Sequence, residues 1–246
     1  MKMGPVKSIC VFLAIITTCQ AMKFPSYITR CSRTDPKLNE CAAEHANLAL
    51  PDILKGDKKN GLPSLMPLEI PEIHLMVTES LKIYLKNVKL FGLENAVIKK
   101  MDLDFDNKKC KITAFIDFLN LMADYEVDGH LLILPIVGQG PANITLVGGS
   151  FNYDFDYSLA MRRNRDFLKF DKFNLEYTSE RMYIRLDNLF NGDKMLGEHM
   201  NMFLYENWKD VSEELYPSLR ETIGTFITSI ASGYLGRIPF NNLFLP

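Results

Sequence analysis

The side chains that could do chemistry are scattered along this chain. Ser150 follows Gly148-Gly149, but the frame is not the G-x-S-x-G elbow that presents a nucleophilic serine. His45, His74, His130 and His199 form no i, i+4 pair, and no H-E-x-x-H motif occurs. His45 falls near the packed face of a predicted helix, where a histidine is more often a satisfied core residue than a ligand. Asp102, Asp104 and Asp106 have the spacing that opens a calcium loop. The sixth position would be Asn107, where the sharp turn needs glycine, and the twelfth Thr113, where bidentate coordination needs glutamate. The wet face of a strand produces the same spacing, with Leu103 and Phe105 turned inward, and Asp154 and Asp156 fit that pattern too. Arg162, Arg163 and Arg165 fit a solvated hairpin turn. Nothing here points to catalysis, a metal or a cofactor, so the expectation is a protein that is not an enzyme.

Thiols, phenols and methionines remain. Cys31 and Cys41 are the plausible disulfide of a secreted chain, closing a small loop. Cys110 lies on the apolar face of a predicted strand and fits a buried free thiol. Tyr125, Tyr153 and Tyr157 each offer an apolar ring with one hydrogen-bonding tip. Met161, Met182, Met195, Met200 and Met202 gather toward the tail, where methionine would suit either an adaptable pocket lining or an irregular core. Asn143-Ile144-Thr145 is an N-glycosylation sequon just after Gly138-Gln139-Gly140-Pro141, a predicted loop.

The elements that must position these groups begin after a leader. Lys2 and Lys7, the apolar run Ile9 to Ile16 and the small residues near Ala21 predict a secretory signal peptide over 1–21. Residues 22–246 then form a single domain, expected to be a monomer without stable membrane insertion. Loss of Lys2 and Lys7 takes the formal net charge from −2 to −4, which disfavours nucleic acid as a partner. Asp35-Pro36 predicts the start of a first helix, with Pro51 just beyond its end. From about Leu68 to Phe190 the apolar period is two, predicting a mostly antiparallel meander. Short polar turns are predicted at Asp106-Asn107-Lys108, Arg163-Asn164-Arg165 and Thr178-Ser179-Glu180. From Asp193 to Tyr234 an apolar stripe at three- and four-residue steps predicts one long helix, about 40 residues and roughly 60 Å. Pro217 should kink or break it. The fold class is therefore α+β, a strongly curved antiparallel sheet wrapped around a long C-terminal helix, with the first helix free to cover a sheet edge.

Two stretches carry a resemblance. Cys31-Ser32-Arg33-Thr34-Asp35-Pro36 through Cys41, with Leu50-Pro51 and Gly61-Leu62-Pro63, resembles the opening of the insect takeout and juvenile-hormone-binding-protein family. Leu189-Phe190-Asn191-Gly192-Asp193-Lys194-Met195-Leu196-Gly197 and Asn201 to Trp208 are similar to the takeout signature, and Ile238-Pro239-Phe240 fits the same pattern. The resemblance implies a lipid-binding wrap related to bactericidal/permeability-increasing proteins, an internal apolar tunnel and a secreted carrier of a small hydrophobic ligand. Moth haemolymph carriers of this family have a second disulfide in the later half. Here no cysteine follows Cys110, which places the chain nearer the takeout branch. The expected tunnel lining is Leu215, Leu219, Ile223 and Phe226 from the helix, Ile112, Ala114, Ile116 and Val127 from strands, and Tyr125, Tyr153 and Tyr157 as polar tips. The competing expectation is an extracellular interaction protein of the same fold with a filled core.

Overall fold

The computed structural model describes residues 24–246; the expected signal peptide lies outside them. The first helix, α1 (Leu38–Lys55), runs through Pro51 instead of stopping before it. Seven strands follow: β1 (Leu68–Thr78), β2 (Leu81–Phe91), β3 (Ala96–Asp104), β4 (Lys109–Leu131), β5 (Leu134–Arg162), β6 (Arg165–Thr178) and β7 (Arg181–Leu186). They form one antiparallel sheet in the order β1-β2-β4-β5-β6, with β3 also on β4 and β7 also on β5. The tail gives α2 (Lys194–Glu206) and α3 (Trp208–Leu235).

The long strands β4 and β5 span the whole sheet, and the short ones are laid end to end beside them. β2 pairs with β4 at residues 120–129, and β3 continues along the same edge at 109–116. β6 pairs with β5 at 150–162, and β7 continues at 142–147. Thr178-Ser179-Glu180 is therefore a joint between collinear strands and not a reversal. Gly138 to Pro141, predicted as a loop, lies inside β5 and pairs with Asp124 to Val127.

The joints line up across the sheet as a crease. It passes Gly92, Asp117, Gly148-Gly149 and Ser179-Glu180. The inward face changes parity there. On β4 the buried positions are Cys110 and Ile116 below the crease, but Ala123, Tyr125 and Val127 above it. On β5 they are Ala142 above and Tyr153, Phe155 and Tyr157 below. A one-residue slip sends every later side chain to the opposite face, which is why Phe118, in phase with Ile116, is exposed.

Helix α1 guards the free edge of β3, as expected. The Asn47 amide donates to the Ile98 carbonyl (2.8 Å) and accepts from the Ile98 amide (2.8 Å), so one side chain replaces the missing strand. Asn39 accepts from the Leu103 amide in the same way (2.9 Å). Asn47→Leu leaves both Ile98 groups without their partner and should cost about 1–3 kcal/mol. Urea unfolding tests this, and an unchanged midpoint would refute it. The Cys31–Cys41 disulfide forms at the start of α1. His45 lies against it, with Nδ1 3.3 Å from Cys31 Sγ and 3.5 Å from Cys41 Sγ. Both sulfurs are bonded to each other, so these three residues are not a free ligand set.

The tail helix breaks at Asn207, not at Pro217. Asn207 has φ −105° and ψ 28°, and its amide and side-chain NH2 both donate to the Phe203 carbonyl at 2.9 Å. It ends α2 and begins α3, at the gap in the apolar stripe. Pro217 is exposed within α3, so the Glu213 carbonyl it leaves unpaired faces water and the helix continues. Asp193 caps α2 through the Leu196 amide (3.0 Å). No helix among the described residues is long and apolar enough to cross a membrane.

Candidate ligand-binding site

α3 approaches the sheet closely at β6 and β7, which flank β5, and at β1, the edge strand beyond β2. Two contacts pin it. Near its start the Glu214 carboxylate accepts from the Leu132 amide in the β4–β5 turn (2.6 Å). Farther along, the Thr228 hydroxyl donates to the Gly224 carbonyl (2.7 Å). Its single proton is thus committed, and the Tyr153 hydroxyl must donate to Thr228 Oγ1 (2.6 Å). The Phe173 ring of β6 lies where a Cβ on Gly224 would be, so only glycine permits this approach.

Between the pins the apolar interior divides. One core gathers Leu85 and Val88 of β2, Tyr125 and Val127 of β4, Met200 and Leu204 of α2, and Val211, with Leu215 against it. A second gathers Cys110, Tyr153, Tyr157 and Leu175, with Ile112 and Ile223 against it. A smaller third cluster at the far end joins Leu62, Tyr234 and Ile238. Among the described residues, Ala114, Ile116, Phe151, Tyr177 and Leu219 belong to none of the three. Ala114, Phe151 and Tyr177 are direct cross-strand partners on β4, β5 and β6. They form one row beside the crease, and the Tyr177 ring meets Tyr216 of α3 at 4.9 Å between centroids.

All but one of the expected lining residues thus fall into three sets. Tyr125, Val127 and Leu215 pack into the first core, and Ile112, Tyr153, Tyr157 and Ile223 into the second. Ala114, Ile116 and Leu219 lie in the belt between, while Phe226 is half-buried outside all three clusters. The expected phenol tips are partly spoken for. Tyr125 donates to the Asp187 carbonyl (2.8 Å) and Tyr153 to Thr228. Tyr177 was missed, because its place in the alternation marks only a residue facing inward. The methionines do not converge: Met182 and Met200 are buried, but Met161, Met195 and Met202 are exposed. Asn143 lies exposed in β5 and accepts from the Asn120 amide (2.6 Å), so the sequon is in a strand.

No charged or hydrophilic side chain is buried among the described residues; the polar atoms of the buried side chains are phenols, the Cys110 thiol and the Trp208 indole. Burial pushes the Cys110 thiol from its usual 9.0 up to about 12. Burial, then Asp187, pushes Tyr125 from 10.0 up to about 12. Burial also raises Tyr153, Tyr157 and Tyr234. All these groups hold their protons more tightly folded than unfolded. Their contribution is complete below the unfolded values and is lost as pH rises through the folded ones. The urea midpoint should therefore fall steadily from about pH 9 to about pH 12, and a flat alkaline profile would contradict this burial. On the outer face, a depression of about 350 Å³ is lined by Lys86, Asp124, Tyr125, Glu126, Gln139, Gly140 and Asn188.

Fold and site together define a class: a curved, open antiparallel sheet held by a C-terminal helix, with an interior of aliphatic, aromatic and phenolic groups. Within that class the chain belongs to the haemolymph juvenile hormone binding protein family, whose family model matches residues 9–245. The solved structure of Takeout 1 from Epiphyas postvittana is 26% identical, with a TM-score of 0.78, covering 88% of this chain and 99% of that one. The circadian clock-controlled protein daywake is 26% identical in Drosophila yakuba and 25% in Drosophila melanogaster, each over 90% of this chain and 88% of the relative. The expected takeout kinship is thus confirmed.

Proposed function

We propose that this protein is a secreted, non-catalytic carrier that holds a small hydrophobic molecule in an apolar tunnel between α3 and the sheet. The separation of the cores carries the reading. Ala114, Ile116 and Leu219 are apolar and lie on the strand and helix faces that elsewhere pack, yet they join no core. An elongated apolar ligand in that belt would bridge the two cores. Each methylene it buries contributes about 0.8 kcal/mol before the costs of association.

The family's description supports a cargo of the juvenile-hormone kind, and a fatty-acid derivative or similar lipid would suit the same apolar belt. The absence of any cysteine beyond Cys110 and the takeout likeness argue for a cargo wider than juvenile hormone. The relatives' name supports a role under clock control.

Native mass spectrometry of protein from its natural source, followed by solvent extraction, tests the proposal. A stoichiometric lipid adduct is expected. A clean unliganded mass, with no displacement of an apolar dye by any lipid tried, would instead establish the filled-core interaction protein.

A further inference from the structure

Tyr177 is 8% exposed, and its hydroxyl has no hydrogen-bond partner. Among the described residues it is the one buried side-chain polar atom in that condition. Phenols in the three cores are otherwise arranged: Tyr125 reaches Asp187, Tyr153 reaches Thr228, and Tyr234 reaches Tyr27. An unmade bond in a low-dielectric interior is unfavourable, and phenylalanine would fill the same ring space without it. The position singles out this hydroxyl further. Tyr177 belongs to no packed core and stands in the row with Ala114 and Phe151, facing Tyr216 of α3.

We infer that the Tyr177 hydroxyl is the polar contact for the cargo, donating to an uncharged oxygen such as an ester or ketone on a long apolar molecule. This rests on the carrier reading and adds the ligand's chemistry to it. Burial, then Tyr216, pushes the phenol up to about 12, so it stays protonated and donates. A carboxylate is disfavoured there. The rings that meet Tyr177 are those of Phe151 and Tyr216, neither of them charged. A charge buried beside Tyr177 would lack a partner.

The test compares the wild-type chain with Tyr177→Phe, using methyl hexadecanoate, hexadecanoic acid and heptadecane as competitors for an apolar fluorescent dye. The substitution should weaken methyl hexadecanoate about tenfold and change heptadecane by less than about twofold. The unfolding midpoint should stay equal or rise, since the change removes an unpaired group. Equal losses for ester and alkane, an unchanged ester affinity, or a wild type that prefers the acid would each overturn the inference. A wild type that takes none of the three competitors brings down the carrier reading and this inference with it. Binding with an unchanged ester-to-alkane ratio overturns the inference alone.

Discussion

Ala114→Trp is expected to abolish lipid binding without weakening the fold. Ala114 is in the belt between the two cores, paired across the sheet with Phe151 and, through it, with Tyr177. An indole there occupies space that the ligand needs, and affinity should fall at least about a hundredfold, on the order of 3 kcal/mol. Cavity-filling substitutions commonly add about 0.5–2 kcal/mol of stability, so the thermal midpoint should hold or rise. The opposite pattern identifies a filled interior. Adding an indole to a packed core costs about 1–3 kcal/mol, and binding would be indifferent to it. Dye displacement and thermal unfolding on one preparation separate the cases.

Gly92→Ala is expected to produce a stability loss far larger than one surface methyl group would. Gly92 has φ +98°, at the joint between β2 and β3. A Cβ there would collide with the Phe118 carbonyl oxygen on β4. That oxygen is backbone within a paired strand and cannot turn aside. Left-handed strain and overpacking each cost about 1–3 kcal/mol, so the sum is about 3 kcal/mol or more. Denaturant unfolding should show a lower midpoint. If the variant fails to accumulate, soluble yield at reduced temperature provides the comparison. A midpoint within error of wild type would mean that the joint yields easily and that the crease is not fixed there.

Much of the architecture was legible because burial imposes periodicity. The two-residue alternation located the strands, the three- and four-residue stripe located the tail helices, and Cys31 and Cys41 were the natural pair. The errors have physical causes. A polar interruption of an alternating run looks the same whether the chain reverses or continues past a joint. Arg163-Asn164 reverses, whereas Ser179-Glu180 does not. Pro217 looked like a break because sequence does not show that its unpaired carbonyl would face water, and Asn207 made the break through its own side chain. Within the site, the alternation could nominate Ala114 and Tyr177 as inward. Which inward phenol lacks a partner depends on Asp187 and Thr228, residues brought close only by folding.

The crease bears on how the molecule gives way under load. Hydrogen-bonded ladders are stiff along their strands, and β4 and β5 extend without interruption through both halves of the sheet. Their neighbours are jointed along one transverse line. Stiffness is therefore anisotropic, and the softest deformation is flexion about that line. The belt between the two cores lies next to the same line, so the spacing of the cores is set by an angle between two stiff panels. On the proposed carrier reading, a bulkier cargo is accommodated by opening that angle, with each core keeping its own packing.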